Sequence, residues 1–195
     1  YHRIKAENSE KYLNFKKIIT DLATCSPYGY RVYADKFKFE EYGVPQTRHR
    51  QILVGYRGDY DLENNVQYET PKPSERKISS KEALEIGVPN TNQSSKSLEK
   101  AKNQELTRHS SDVLKMLMNT KEGQNVWQLD DEFGLPNVKS ARMSNIYKKL
   151  ESNKPSYTVT GSGGGGTHVY HYKENRALTN RERARLQTFD DNYDF

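Results

Sequence analysis

The sequence predicts an α/β protein in which the closing portion of a sheet is present and the opening portion is not. Between Glu10 and Ala23 the apolar residues Tyr12, Phe15, Ile18, Ile19, Leu22 and Ala23 fall at helical spacing. Lys11, Lys16, Lys17 and Asp21 lie on the other side, the pattern of an amphipathic helix laid on a sheet. Pro27 and Gly29 break that helix, and YRVYADKF after them carries the β-branched and aromatic residues of a strand. Past a Gly43-Val44-Pro45 turn, QILVGY is nearly all apolar, which predicts a second strand buried on both faces. Helix, strand, turn, strand is the end of an α/β sheet and not a whole one.

From roughly Arg57 to Ser111 the chain is rich in Ser, Asn, Lys and Glu and punctuated by Pro71, Pro73 and Pro89. That composition belongs to a linker or a long surface excursion. Val113, Leu114, Met116 and Leu117 predict a short helix packing near Trp127. A further helix is expected from Arg142 to Leu150, with Met143, Ile146, Tyr147 and Leu150 on one face and Lys148 and Lys149 at its end, where cations complement the helix dipole. KPSYTVTGSGGGGTHVYHYKENRALT reads as a short strand, a glycine run, an alternating strand and a turn. Thr179-Asn180-Arg181-Glu182 matches a capping box, so a last helix should start near Asn180.

At 195 residues with an apolar fraction of 33% and a charged fraction of 29%, the core is expected to be small or shared with something the chain lacks. Net charge is +5, but it divides unevenly: residues 1–57 carry +5, residues 58–134 carry −4 and residues 135–195 carry +4. Two basic ends closing on one cleft suit a polyanion; the plainer alternative is ordinary solvated lysines. Cys25 is the one cysteine, which leaves no disulfide framework or cysteine metal cluster and points to a reducing, cytoplasmic setting. No run approaches the ~18 apolar residues of a membrane span.

The densest polar signal is EYGVPQTRHRQILVG, where Gln46, Arg48 and Arg50 recur at every second position. Residues two apart on a strand face one side, so the three would point together into a cleft and could hold a planar ligand. The bland alternative is the polar rim of a sheet. His49 interleaves with them and is expected to face the opposite way, as a structural or surface residue.

With RALTNRERARLQTFDDNYDF at the chain's end, this segment resembles the eighth and ninth motifs of DNA (cytosine-5)-methyltransferases, GVPQxRxRxxxVG and RxLTxRExARxQxF. The matching residues are Gly43, Val44, Pro45, Gln46, Arg48, Arg50, Val54 and Gly55, then Arg176, Leu178, Thr179, Arg181, Glu182, Arg185, Gln187 and Phe189. The resemblance implies that Arg50 contacts the carbonyl oxygen of a flipped cytosine and that Arg48 organises neighbouring catalytic groups. It places Gln46 near the DNA beside the emptied stack. A rigid guanidinium fork suits such a grip better than an ammonium. It implies, too, a Rossmann-like methyltransferase sheet whose closing portion is residues 1–57, a polar linker over 58–110, a mixed, loop-rich target-recognition domain over 111–175, and a helix returning to the catalytic domain over 176–195.

The glycine run Gly161-Ser162-Gly163-Gly164-Gly165-Gly166 satisfies GxGxxG, but THVYHY after it alternates like a strand, whereas a dinucleotide site needs a helix start there. Gly163 and Gly164 would instead let backbone approach DNA closely, or simply form a hairpin tip. In the family, a Thr and an aliphatic residue precede such glycines, which makes Thr158, beside Val159, a phosphate contact. His168 and His171, three apart on an expected strand, would face opposite ways, against joint metal ligation. Tyr157, Tyr170 and Tyr172 are expected to pack, with base stacking as the alternative. Arg181 and Arg185 share a helix face, and Arg176 and Arg181 are expected to organise the DNA cleft and reach phosphates.

Cytosine methylation needs a thiolate, a carboxylate and a methyl donor. The family's Pro-Cys, Glu-Asn-Val and Phe-x-Gly-x-Gly motifs do not occur in this sequence, and neither Cys25 nor Glu7 has the right neighbours. The resemblance therefore implies a DNA-recognition fragment of an S-adenosylmethionine-dependent enzyme of a restriction-modification system. Its partners would be double-stranded DNA and a missing N-terminal catalytic part, on the same protein or a partner chain, and by itself it should be inactive. The rival readings are a stand-alone, non-enzymatic DNA-binding module and a nucleotide-binding enzyme built on the glycine run.

Overall fold

The helical spacing after Glu10 forms α1 (Glu10–Thr24), and β1 (Tyr30–Lys38) and β2 (His49–Arg57) pair as a two-stranded sheet. The computed structural model describes residues 10–93, 101–129, 145, 147–161 and 168–195. Between the strands a short 3₁₀ helix, Phe39–Tyr42, ends at Gly43, whose φ of +80° is open to glycine at little cost. Then follow α2 (Gly58–Asn64), α3 (Ser80–Glu85), α4 (Ser111–Asn119), a 3₁₀ turn at Val126–Gln128 and α5 (Asn180–Arg185). The chain divides into two compact units, Tyr1–Phe37 with Arg50–Lys72, and Lys38–His49 with Pro73–Phe195.

In the first unit the expected helix and strands form, but not the expected burial. Every residue of β2 from Arg50 to Leu53 is exposed, with Ile52 and Leu53 each at 37%, and Leu13 and Ile18 on α1 are exposed as well. Two strands with α1 and the seven-residue α2 leave β2 exposed, so QILVGY is not the doubly buried strand its composition predicts. Of the two alternatives expected for the stretch after β2, a linker or a surface excursion, its contacts fit an excursion laid back on β1. Arg31 on β1 pairs with Asp61 at 2.7 Å and donates to the Val66 carbonyl, Tyr33 packs against Tyr56 and Tyr68, and Thr70 Oγ1 donates to Asp35 Oδ2 at 2.6 Å.

The second unit holds the main core, in which Ile78, Ala83, Leu84 and Val88 pack with Leu150, Val159, Val169, Leu178 and Leu186. Four of these lie inside the stretch expected to be a polar excursion. Short apolar anchors set among polar residues were enough, because Ser79 caps α3 by accepting from Glu82 N and so aims Ala83 and Leu84 inward. A smaller cluster joins Met116 on α4 to Val126, with Trp127 against it, as the sequence predicts.

The helix expected to end at Leu150 does not extend through residues 147–150; Arg142, Met143 and Ile146 lie outside the described residues. Tyr147 has φ of +45°, and the amides of Lys149 and Leu150 donate to Gln124 O and Tyr170 O instead of to their own preceding turn. The two expected strands around the glycine run reduce to isolated bridges, Gln46 with Ser156 and Tyr170 with Lys149 and Ala177. Long-range partners have replaced a regular ladder at both places.

α5 forms as its capping box predicts: Thr179 Oγ1 accepts from Glu182 N, and Glu182 Oε2 accepts from Thr179 N at 2.8 Å. At six residues it is far too short to be stable alone. Its arginines tie it down. The Arg185 side chain is fully buried in a bidentate ion pair with Asp191 and donates also to Ala83 O and Leu84 O, which joins α5 to α3 and to the turn behind it.

Asp191→Ala leaves that guanidinium buried without its counter-ion, and is expected to destabilise the second unit by about 3–5 kcal/mol. A shift in the chemical-denaturation midpoint measures it; a change below about 1 kcal/mol would show that the pair does not carry α5.

Candidate nucleic-acid interface

The Gly43-Val44-Pro45-Gln46-Thr47 turn docks on the segment just before the glycine run. Ser156 N donates to Pro45 O at 2.9 Å, Thr47 N to Ser156 O at 2.7 Å, and Thr158 Oγ1 to Thr47 O at 2.8 Å. The Gln46 side chain completes the tie: its Oε1 accepts from Val159 N at 3.0 Å and its Nε2 donates toward Leu186 O at 3.5 Å. Segments distant in the sequence are thus fastened by one amide. The sequence signal for it was the Gln at a fixed place after Gly-Val-Pro, but nothing in the sequence named Val159 and Leu186 as its partners.

Four of the expected DNA-contact residues have partners within the protein in this geometry. Gln46 is 2% exposed, so its amide serves the junction and presents no edge to a groove. Thr158 uses its hydroxyl proton on Thr47 O, which leaves only lone pairs toward solvent; these do not donate to a phosphate. Arg181 is 1% exposed and donates to the carbonyls of Lys102, Asp190 and Tyr193, with its guanidinium 4.7 Å over the Phe195 ring, so it braces the chain terminus where the sequence reading had it reaching phosphates. Arg176 is largely enclosed and held by Glu182 and Glu174. Burial of these forks follows from their charge being matched at home, by carboxylates or carbonyls.

Arg48 is half-buried in the second unit, its carbonyl accepting from Phe39 N, whereas Arg50 is exposed on β2 and belongs to the first unit. His49 Nε2 meets Glu40 Oε1 at 2.8 Å, the structural role expected of it. Glu40 is 4% exposed, and burial pulls its carboxyl upward; the His49 hydrogen bond, a bond from its own backbone amide, and the His49 and Lys77 charges together more than offset that, and its pKa ends below the usual carboxylate value. Gly163 and Gly164 lie outside the described residues. Among the described residues, no group of three or more His, Cys, Asp and Glu is placed to hold a metal ion, and no helix is long and apolar enough to cross a membrane.

Beside the docked turn opens a cleft of ≈ 460 Å³ lined by Thr47, Glu40, Lys77, Lys148, Lys154 and Tyr157, among others. Lys149, also on its wall, is buried, donates to Asn175 Oδ1 at 2.7 Å, and has its pKa lowered by that burial. Tyr157 OH donates to Lys148 O at 2.7 Å, and burial raises its pKa above the usual tyrosine value. The tyrosines pack as expected: Tyr170 and Tyr172 are buried in the cores.

The sequence matches the C-5 cytosine-specific DNA methylase family over residues 4–195. The chain is 51% identical over 183 residues to the Type II methyltransferase M.BbvI of Brevibacillus brevis, covering 93% of this chain and 46% of that protein. It is 36% identical over 180 residues to the Type II methyltransferase M.NgoFVII of Neisseria gonorrhoeae, covering 92% and 46%. The chain spans a little under half the length of these relatives. A crystal structure described as a DNA modification methyltransferase encoded within a prophage of E. coli superposes with a TM-score of 0.64 at 20% identity, over 97% of this chain and 58% of that one, and shares the fold.

Gln46→Ala strips the buried Val159 amide of its acceptor and should destabilise the second unit by about 1–3 kcal/mol in urea denaturation; an unchanged midpoint would dissolve the tie. His109, His168 and His171 each use a ring nitrogen against a donor, from Ala177 N, Arg183 and the amides of Lys173 and Glu174 respectively, and burial lowers all three below the ordinary 6.5. Below that value the unfolded chain binds more protons than the folded one, so stability is full above pH 6.5 and falls as pH drops below it. A denaturation series across that window reads the slope, and a flat profile refutes it.

Proposed function

Because the chain belongs to the C-5 cytosine-specific DNA methylase family, we propose that it is the DNA-recognition part of a DNA (cytosine-5)-methyltransferase of a restriction-modification system. The completed enzyme extrudes a cytosine from double-stranded DNA and methylates its carbon-5. In this reading Arg50 holds the carbonyl oxygen of the extruded base and Arg48 organises the groups beside it. Gln46 is a positioning residue that fixes the turn leading to them onto the recognition segment at Ser156–Val159. The observation that supports this most directly is that tie, because it fastens the Gly-Val-Pro-Gln turn to the two other segments the family resemblance singles out, the stretch before the glycines and the terminal helix.

S-adenosylmethionine is the methyl donor of this family, and the cleft beside the docked turn does not fit it. The cleft sets four lysines against two glutamates, an excess of positive charge facing a molecule that bears a sulfonium and an ammonium. Donor and thiolate sites therefore belong to the catalytic part, which this chain needs as its partner. The exposed apolar residues of the first unit, Leu13, Ile18, Ile52, Leu53 and Leu62, support such a partner, since a sheet of two strands leaves them uncovered.

The purified chain is expected to bind duplex DNA weakly, with affinity falling as salt rises, and to transfer no methyl group. Adding a separately expressed catalytic part that carries Pro-Cys and Glu-Asn-Val segments, taken from the same protein or from a close relative, should produce transfer. In that mixture Arg50→Ala should lower the rate by about 10²-fold or more, the usual effect of removing one donor to a developing oxyanion, while leaving DNA binding intact. Transfer by the chain alone would refute the division of labour. Absence of both binding and transfer in the mixture would refute the recognition role.

A further inference from the structure

Four lysines converge on the cleft beside Thr47 and Tyr157, and two of them form no ion pair among the described residues. Lys154 is paired with Glu151 at 2.6 Å and Lys149 is turned to Asn175. Lys77 is exposed and Lys148 half-buried, and among the described residues neither forms an ion pair; Lys148 Nζ lies 5.5 Å over the Tyr157 ring. Glu40 is the remaining acidic group on the wall; its Oε1 is matched to His49 and its carboxylate also feels the Lys77 charge, so one buried carboxylate is shared between an imidazole and an ammonium. The cleft therefore carries positive charge in excess of what the fold uses, while the arginines of α5 and Arg176 are held internally.

We propose that Lys77 and Lys148 bind backbone phosphates of duplex DNA, and that this cleft contributes to the sequence-independent hold on the substrate. The proposal rests on the recognition reading above and adds to it a site. Lysine ammoniums are compact point charges without the planar fork that reads a base edge, so the pair positions a duplex and does not specify its sequence. Each phosphate neutralised releases condensed counter-ions, and each contact therefore adds roughly 0.9 to the slope of log affinity against log salt. The cleft is well placed for such a hold, because Thr47 follows Gln46 in the docked turn and Tyr157 precedes Thr158 on the recognition segment. A phosphate held here lies where those two segments meet.

The experiment titrates two duplexes of unrelated sequence with the full chain across a range of salt, comparing the unsubstituted protein, K77A/K148A, and the charge-matched control K115A/K121A, whose lysines do not line the cleft. The expected result is a slope smaller by roughly two for K77A/K148A on both duplexes, one for each phosphate contact, with the control unchanged and circular dichroism the same for all three. An unaltered slope for K77A/K148A while the parent binds overturns the cleft and leaves the recognition reading standing. A loss equal in the control assigns the effect to net charge and overturns it too, as does a loss confined to one sequence. Failure of the parent to bind either duplex removes the recognition reading itself, and this proposal with it.

Discussion

The buried arginines of α5 are the constraint on which the second unit depends. A six-residue helix has no stability of its own, and the capping box at Thr179 and Glu182 satisfies only its first amides. What fixes it is Arg185 in its ion pair with Asp191 and its bonds to Ala83 O and Leu84 O, together with Arg181 bound to three carbonyls around the chain's end. A buried guanidinium tolerates the loss of water only when nearly every donor is met. That requirement sets where α3, α5 and the last turn sit relative to each other, and with them the floor of the main core at Leu84, Leu178 and Leu186.

This use of arginine shapes how the molecule can meet a polyanion. From a net charge of +5 one would expect guanidiniums offered to phosphates, yet those of Arg176, Arg181 and Arg185 are turned inward. The positive charge left at the surface of the second unit's cleft is lysine. In this unit the forked donors of Arg176, Arg181 and Arg185 hold the protein's own shape while the cleft is lined with ammoniums; this division follows hydration, since the ammonium is harder to strip of water than the guanidinium.

The Gln46 tie is the second structural consequence of the same principle. A buried amide is stabilising only with both ends bonded, and its partners here are a backbone amide and a backbone carbonyl far along the chain. The bond geometry is indifferent to what side chains Val159 and Leu186 carry. That is why the sequence, which marks the Gln only by its place after Gly-Val-Pro, gives a DNA-facing expectation for Gln46 and no sign of this junction.

Much of this protein was legible in its residues. Helical spacing from Glu10, the β-branched and aromatic run after Gly29, the turn at Gly43 and the box at Thr179 are local codes, in which each residue's preference is decided by neighbours within four positions. The family resemblance lay likewise in short strings such as GVPQTRHR. Tertiary structure alone decided what depends on distant partners: that Ile78, Ala83, Leu84 and Val88 join the core from a polar stretch, that the backbone at Lys149 and Leu150 bonds across the fold instead of along a helix, and that β2 stays exposed in a sheet of two strands. Whether an arginine reads a ligand or braces a chain is of the same kind, because burial is a property of the surroundings, and one sequence position does not contain its surroundings.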